Sequence, residues 1–174
     1  FAFLFITACN KDEDDPQTTP QINESEVLAK FLESTSSPLM KDFVNTDMPT
    51  IMPASEVKTL NATGQVYIID IRSEDDFNNL GHIENAHNVA FGDLMTHVAG
   101  INMDEYTKVA IVCYTGQTAG YAASLLRLMG YDKVYSMLWG MCSWNEDFAG
   151  SWNNNIGNGY ATMFTSDATE KGPK

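Results

Sequence analysis

Cys113 ends a run of four apolar residues in "VAIVCYTGQTAG" (109–120), and a short polar segment with one glycine, Gly116, follows it. A thiol so placed can be core filler, a metal ligand, half of a disulfide or a nucleophile. If a buried strand stops at Cys113 and a helix starts a few residues later, residues 114–118 must curl tightly. Gly116 can take the positive φ such a curl needs. The curl then turns successive N–H groups inward, and the helix N-terminus adds partial positive charge. Donors of that kind favour the thiolate, which is the reactive form of cysteine. By spacing alone, a small buried hydrophobe fits Cys113 as well as a nucleophile does.

Two of the alternatives lack support elsewhere in the chain. There is no CxxC or HExxH, and His82, His87 and His97 lack the helical spacing of a ligand set, so no metal site and no cofactor are expected. The other cysteines are Cys9 and Cys142, too few for a disulfide scaffold.

The elements that must position Cys113 are legible around it. "QVYIIDIR" (65–72) is an apolar, β-branched strand fit for burial on both faces. "SEDDFNNLG" reads as a short helix capped by Ser73 and ended by Gly81. "HNVAFGDL" supplies a short strand and a turn, and "KVAIVCY" a second buried strand. "TAGYAASLLRLMGY" is a helix expected to turn Ala122, Leu125, Leu126 and Met129 inward, and "DKVYSML" is a last strand. Strands alternating with helices imply right-handed crossovers, hence an α/β fold with a parallel sheet of about five strands covered on both sides. Ligands in such folds sit beyond the carboxyl ends of the strands. Upstream, residues 24–33 read as a helix, Ser37 and Pro38 open a second short one, and "PASEVKTL" starts a third near Ser55.

The 174 residues allow one domain with a real core, and 44% hydrophobic content is that of a globular protein. With 23 acidic against 10 basic residues, the net charge is −13. That excludes nucleic acid or an anionic membrane surface as an electrostatic partner.

Residues 1–9, "FAFLFITAC", are too short to span a bilayer. "ITAC" resembles a bacterial lipobox, which implies a truncated signal peptide with Cys9 as the lipidated residue and membrane attachment through a lipid anchor alone. Residues 10–23 then read as a linker and 24–49 as a helical extension. The acidic "KDEDD" run suits a cell-envelope address, periplasmic or cell-surface. Residues 145–174, with Trp152, Tyr160 and Phe164, read as an irregular extension.

Over residues 50–144 the chain resembles the rhodanese-like family of sulfurtransferases. The resemblance rests on Asp70–x–Arg72, Gly81-His82-Ile83, the Cys113 loop, "RLMGY" and the closing "WGMCSW". It implies that Cys113 attacks the outer sulfur of a donor and holds it as a persulfide. Tyr114, Thr115, Gly116, Gln117 and Thr118 would cradle that sulfur before a thiophile accepts it. "CYTGQT" has the six-residue length of the family's sulfurtransferases, whereas related phosphatases use seven and end in arginine. Without arginine a phosphate dianion lacks its bidentate partner. The neutral loop also weakens binding of a dianionic donor such as thiosulfate, so a persulfide or polysulfide suits it better. The partners expected are a small sulfur-containing anion and a thiol acceptor. A non-catalytic binding or redox-sensing module is the rival.

Asp70 and Arg72 fall where a strand ends. Arg72 is expected either to supply the missing cation or, preferentially, to pair with Glu74 or Asp76. His82 is expected to be structural, His87 and His97 packing or surface residues, and Trp139 and Trp144 core. Cys142 is either a buried thiol beside Trp144 or a resolving thiol for Cys113.

Overall fold

The computed structural model describes residues 22–33 and 49–157. Cys9, the Ser37–Pro38 helix start, Tyr160 and Phe164 lie outside the described residues.

In chain order the elements are α1 (Glu24–Glu33), β1 (Ile51–Met52), α2 (Ala54–Asn61), β2 (Val66–Asp70), α3 (Glu74–Asn79), β3 (Ala86–Asn88), α4 (Leu94–Ala99), β4 (Lys108–Val112), α5 (Gln117–Leu128), β5 (Val134–Met137) and α6 (Gly150–Asn153). Short 3-10 turns precede α4, β4 and α6 and follow β5. The five strands form one parallel sheet in the order β1-β5-β4-β2-β3. The central pair is in register from Val66 opposite Lys108 to Asp70 opposite Val112. The sheet and helical layers are those read from the sequence. The edge strand β1, only two residues long, carries too little pattern to be seen there.

Two-residue periodicity decides which face each side chain meets. Ile69, Val109 and Ile111 pack with Leu94 and Val98 of α4 and with Ala119, Ala122, Ala123 and Leu126 of α5. Ile68, Ala110 and Val112 pack on the other face with Val57 of α2, Met141, Trp144 and Phe148. Alanines on α5 let that helix approach the sheet closely. Its buried stripe runs Ala119, Ala122, Ala123, Leu126 and Arg127, whereas Leu125 and Met129 are exposed. Ala122 and Leu126 thus face inward as expected, and the expectation is corrected at Leu125 and Met129, which fall at the border of a stripe made mostly of small residues.

Arg127 stays buried because its Nε donates to the Val134 carbonyl at 2.7 Å and its Nη2 to that of Pro49 at 3.0 Å, with Tyr135 beneath the guanidinium. These bonds fasten α5 to β5 and to the segment entering β1. Trp139 is likewise not core: it is 49% exposed, sits at φ 61 and meets Trp152 edge to face. Trp144 does pack partly buried in the α2-side cluster.

Candidate active site

Cys113 directly follows β4 and keeps the parity of Val109 and Ile111, so its side chain joins the cluster under α5. The chain then curls through residues 114–116 and enters α5 at Gln117. Gly116 is the N-cap at φ 90, a conformation glycine adopts without a Cβ clash. The amide of Gly116 lies 3.2 Å from the Cys113 Sγ and that of Ala119 lies 3.4 Å away. Both N–H groups donate to the sulfur, at the N-terminus of a 12-residue helix. Ala119, one residue past the span expected to cradle the sulfur, thus supplies one of the two donors. The helix starts sooner than the sequence suggested, and its first turn forms the wall.

The curl is held from behind. The Met141 amide donates to the Cys113 carbonyl at 2.9 Å, and the Cys142 amide to the Tyr114 carbonyl at 3.2 Å. A Cβ on Gly140 would stand 2.3 Å from the Cys113 carbonyl oxygen, so only glycine allows this approach. A Cβ on Gly116 would meet the Trp139 backbone nitrogen at 3.0 Å. Ser136, buried on β5, donates to the Gly116 carbonyl at 3.4 Å.

Tyr114 does not offer its side chain to the sulfur. Its hydroxyl donates to Asp76 Oδ2 and accepts from the Ser73 amide at 3.3 Å, tying the loop to the first turn of α3. The Tyr114 bond first, and the Ser73 bond second, hold the Asp76 carboxyl below the usual carboxylate range. Thr115 is half-buried, whereas Gln117 and Thr118 are exposed.

Arg72 pairs with neither Glu74 nor Asp76. Its Nε lies 3.0 Å from each Asp70 carboxylate oxygen, and its Nη2 lies 2.7 Å from Oδ2 and 2.8 Å from the Gly81 carbonyl. Both side chains are buried. Nη1 has no hydrogen-bond partner among the described residues; the rings of Phe148 and Tyr114 lie 5.1 and 5.9 Å from the guanidinium carbon instead. Parity explains the pairing: Asp70 and Arg72 share one side of the chain, toward Phe148, while the Cys113 thiol faces α5. Arg72 therefore braces the end of β2 and α3, with its charge matched by Asp70.

Cys142 is half-buried and Cys113 is buried, and both thiols are free. Its thiol faces the carbonyls of Tyr114 and Phe148, each at 3.2 Å. The loop thus presents amides to Cys113 and a carbonyl to Cys142. His82 stacks on Phe77 with centroids 3.7 Å apart and places Nδ1 2.9 Å from the Phe77 carbonyl oxygen, fixing the end of α3. His87 and His97 flank Tyr67, His87 stacked at 4.4 Å and His97 Nε2 3.0 Å from the hydroxyl. No group of three or more His, Cys, Asp or Glu suited to a metal gathers among the described residues.

A family model, the rhodanese-like domain, matches residues 53–147. The chain belongs to the rhodanese-like family. The thiosulfate sulfurtransferase GlpE of Shewanella oneidensis is 33% identical over 107 residues, which span 62% of this chain and 97% of that protein. Among solved structures, a Rhodopseudomonas palustris protein of unknown function, described as a possible tyrosine phosphatase, superposes with a TM-score of 0.50. It is 20% identical, covering 57% of this chain and 81% of its own. A human single-domain sulfurtransferase gives 0.47 at 19% identity, over 56% and 96% of the two chains. Within the rhodanese-like fold the parallel sheet delivers Cys113 to the amides of its loop, and the segment 139–142 fixes the curl.

Proposed function

We propose that the protein moves sulfane sulfur through a persulfide on Cys113. The observation that carries this is the pair of amides, from Gly116 and Ala119, aimed at Sγ. Fixed dipoles of this kind stabilise a charge on sulfur without reorganising as the charge forms. Thiolate sulfur attacks the outer sulfur of a donor, the S–S bond of the donor breaks, and the leaving group departs with the electron pair. A thiophile then removes the outer sulfur and returns the thiolate. Membership of the rhodanese-like family and the similarity to a protein named as a thiosulfate sulfurtransferase support the assignment. The six-residue loop without arginine, with Arg72 held by Asp70, argues against phosphate-ester chemistry.

Intact-mass measurement after exposure to thiosulfate or polysulfide tests the proposal. The wild type gains one sulfur atom, which cyanide removes, and Cys113→Ser gains none. A wild type that never gains sulfur and instead forms a Cys113–Cys142 disulfide would establish the redox-sensing alternative.

We further propose that the domain works at the cell envelope, tethered through lipid on Cys9. The apolar segment and small residues before Cys9, and the acidic linker after it, support this. Labelled fatty acid should enter the full-length protein in cells and fail to enter Cys9→Ala.

A further inference from the structure

Beside the Cys113 loop, at the carboxyl ends of β2 and β3, lies an open cavity of about 540 Å³. Its wall includes Arg72, Ser73, Glu74, Phe77, Asn88 and Phe91. Three links join it to the cysteine loop. The Ile71 amide, on the cavity, donates to the Val112 carbonyl at 2.9 Å, one residue before Cys113. The Ser73 amide donates to the Tyr114 hydroxyl. Phe91 stacks on Tyr121 of α5, with centroids 6.0 Å apart, two residues past the Ala119 amide that donates to Sγ.

With the buried Arg72 matched by Asp70, the charge left on this cavity is acidic. Glu74 lines it, and Asp75 is its neighbour in the first turn of α3. Arg72 also lines the cavity, buried against Asp70, and every other described cation is engaged elsewhere or lies on another surface. Arg72 is neutralised by Asp70, Lys108 meets Glu56, and Lys30 meets Glu26. Lys133 binds the Met103 and Tyr106 carbonyls, Arg127 binds those of Val134 and Pro49, and Lys58 lines a separate cavity with Ala54 and Ser55. Among the described residues an oxyanion donor would find amide dipoles at the sulfur and, for its remaining oxygens, no cation but the Arg72 already matched by Asp70. A carboxylate-tailed donor would face Glu74 directly.

We propose that this cavity seats the organic half of the sulfur donor, and that the donor is an organic persulfide with a cationic or uncharged distal end. The inference rests on sulfur transfer at Cys113. In the step, the Cys113 thiolate attacks the outer sulfur of R–S–SH, the new Sγ–S bond forms and the old S–S bond breaks. R–S⁻ leaves with the bonding pair, and the proton stays with the transferred sulfur or passes to water. No external oxidant or reductant is needed. The aromatic rings of Phe77 and Phe91 pack the alkyl part, and Glu74 attracts a positive end.

The test uses three persulfides of nearly equal size, made from cysteamine, 2-mercaptoethanol and 3-mercaptopropionate, which differ in the charge at the far end. Rates of sulfur gain on Cys113 are read by rapid-quench intact mass. At low salt the cationic donor should load at least about five-fold faster than the anionic one, with the neutral donor between them. Glu74→Gln and added salt should each compress that ratio. Glu84→Gln, an equal charge loss at an exposed site before β3, should leave it unchanged. Equal or faster loading by the anionic donor overturns the proposal, as does a ratio indifferent to Glu74→Gln. If none of the three loads Cys113 while wild type and Cys113→Ser behave alike, sulfur transfer itself is overturned.

Discussion

The two free sulfurs meet opposite backbone groups: Cys113 faces the amides of Gly116 and Ala119, and Cys142 faces the carbonyls of Tyr114 and Phe148. The polarity of a few peptide groups thus separates a sulfur that accepts hydrogen bonds from one that donates them. At this scale the narrowest clearance is at Gly140. Gly140→Ala would drive a Cβ into the Cys113 carbonyl and force the curl outward. It should lower stability by more than about 2 kcal/mol, the range of strained substitutions, and slow sulfur loading in whatever fraction folds. Chemical denaturation and intact mass read the two effects separately. Gly116→Ala also meets a positive φ and the Trp139 backbone, and should act in the same direction. Asp70→Asn leaves the Arg72 guanidinium buried without its counter-ion, and should cost about 3–5 kcal/mol in a urea titration.

Between elements, the contacts that matter are fastenings rather than bulk packing. The Tyr114 hydroxyl binds the β4–α5 loop to the start of α3, and Arg72 binds the end of β2 to the Gly81 carbonyl beyond the end of α3. Helix α3 has no buried residue of its own, so it is placed by these polar ties. Tyr114→Phe should therefore lower the denaturation midpoint at neutral pH. Because the bond depresses the Asp76 carboxyl, its contribution is complete above the unfolded carboxylate value, about 3.8, and is lost as pH falls through the lower folded value. The stability gap between wild type and Tyr114→Phe should close over that acid range. A gap independent of pH would show that the bond does not favour the ionised carboxylate.

For the molecule as a whole, the sheet divides two cores and sends the Cys113 thiol to only one. The acidic excess is spread over a fold in which the described cations other than Lys58 are tied to carboxylates, carbonyls and rings. Edge strand β3 adds a pH response. Burial first, and His97 second, push the His87 imidazole below its ordinary value of 6.5. The unfolded chain then takes up its proton before the folded one does. Global stability should fall as pH drops below about 6.5 and level off once the folded value is passed. His87→Phe keeps a ring against Tyr67, and should flatten this slope in denaturation curves between pH 7.5 and 5.5.

Local pattern determined much of this. Apolar runs bounded by glycine, proline and capping residues marked β2, β4, β5, α3 and α5. The strand–glycine–helix succession placed Cys113 at a strand end with an amide-lined curl. Such features depend on neighbours within a turn or a strand, and sequence carries those directly. The pairing of Arg72 with Asp70, the tie from Tyr114 to Asp76 and the close approach of Gly140 were settled only by tertiary structure. Each depends on which face of the sheet a residue meets, or on segments dozens of residues apart coming within an ångström of collision. The two-residue strand β1 likewise exists only because β5 is there to pair with it. Pattern singled out Cys113 as a candidate; packing decided what surrounds it, because only the folded chain fixes which dipoles and charges reach the sulfur.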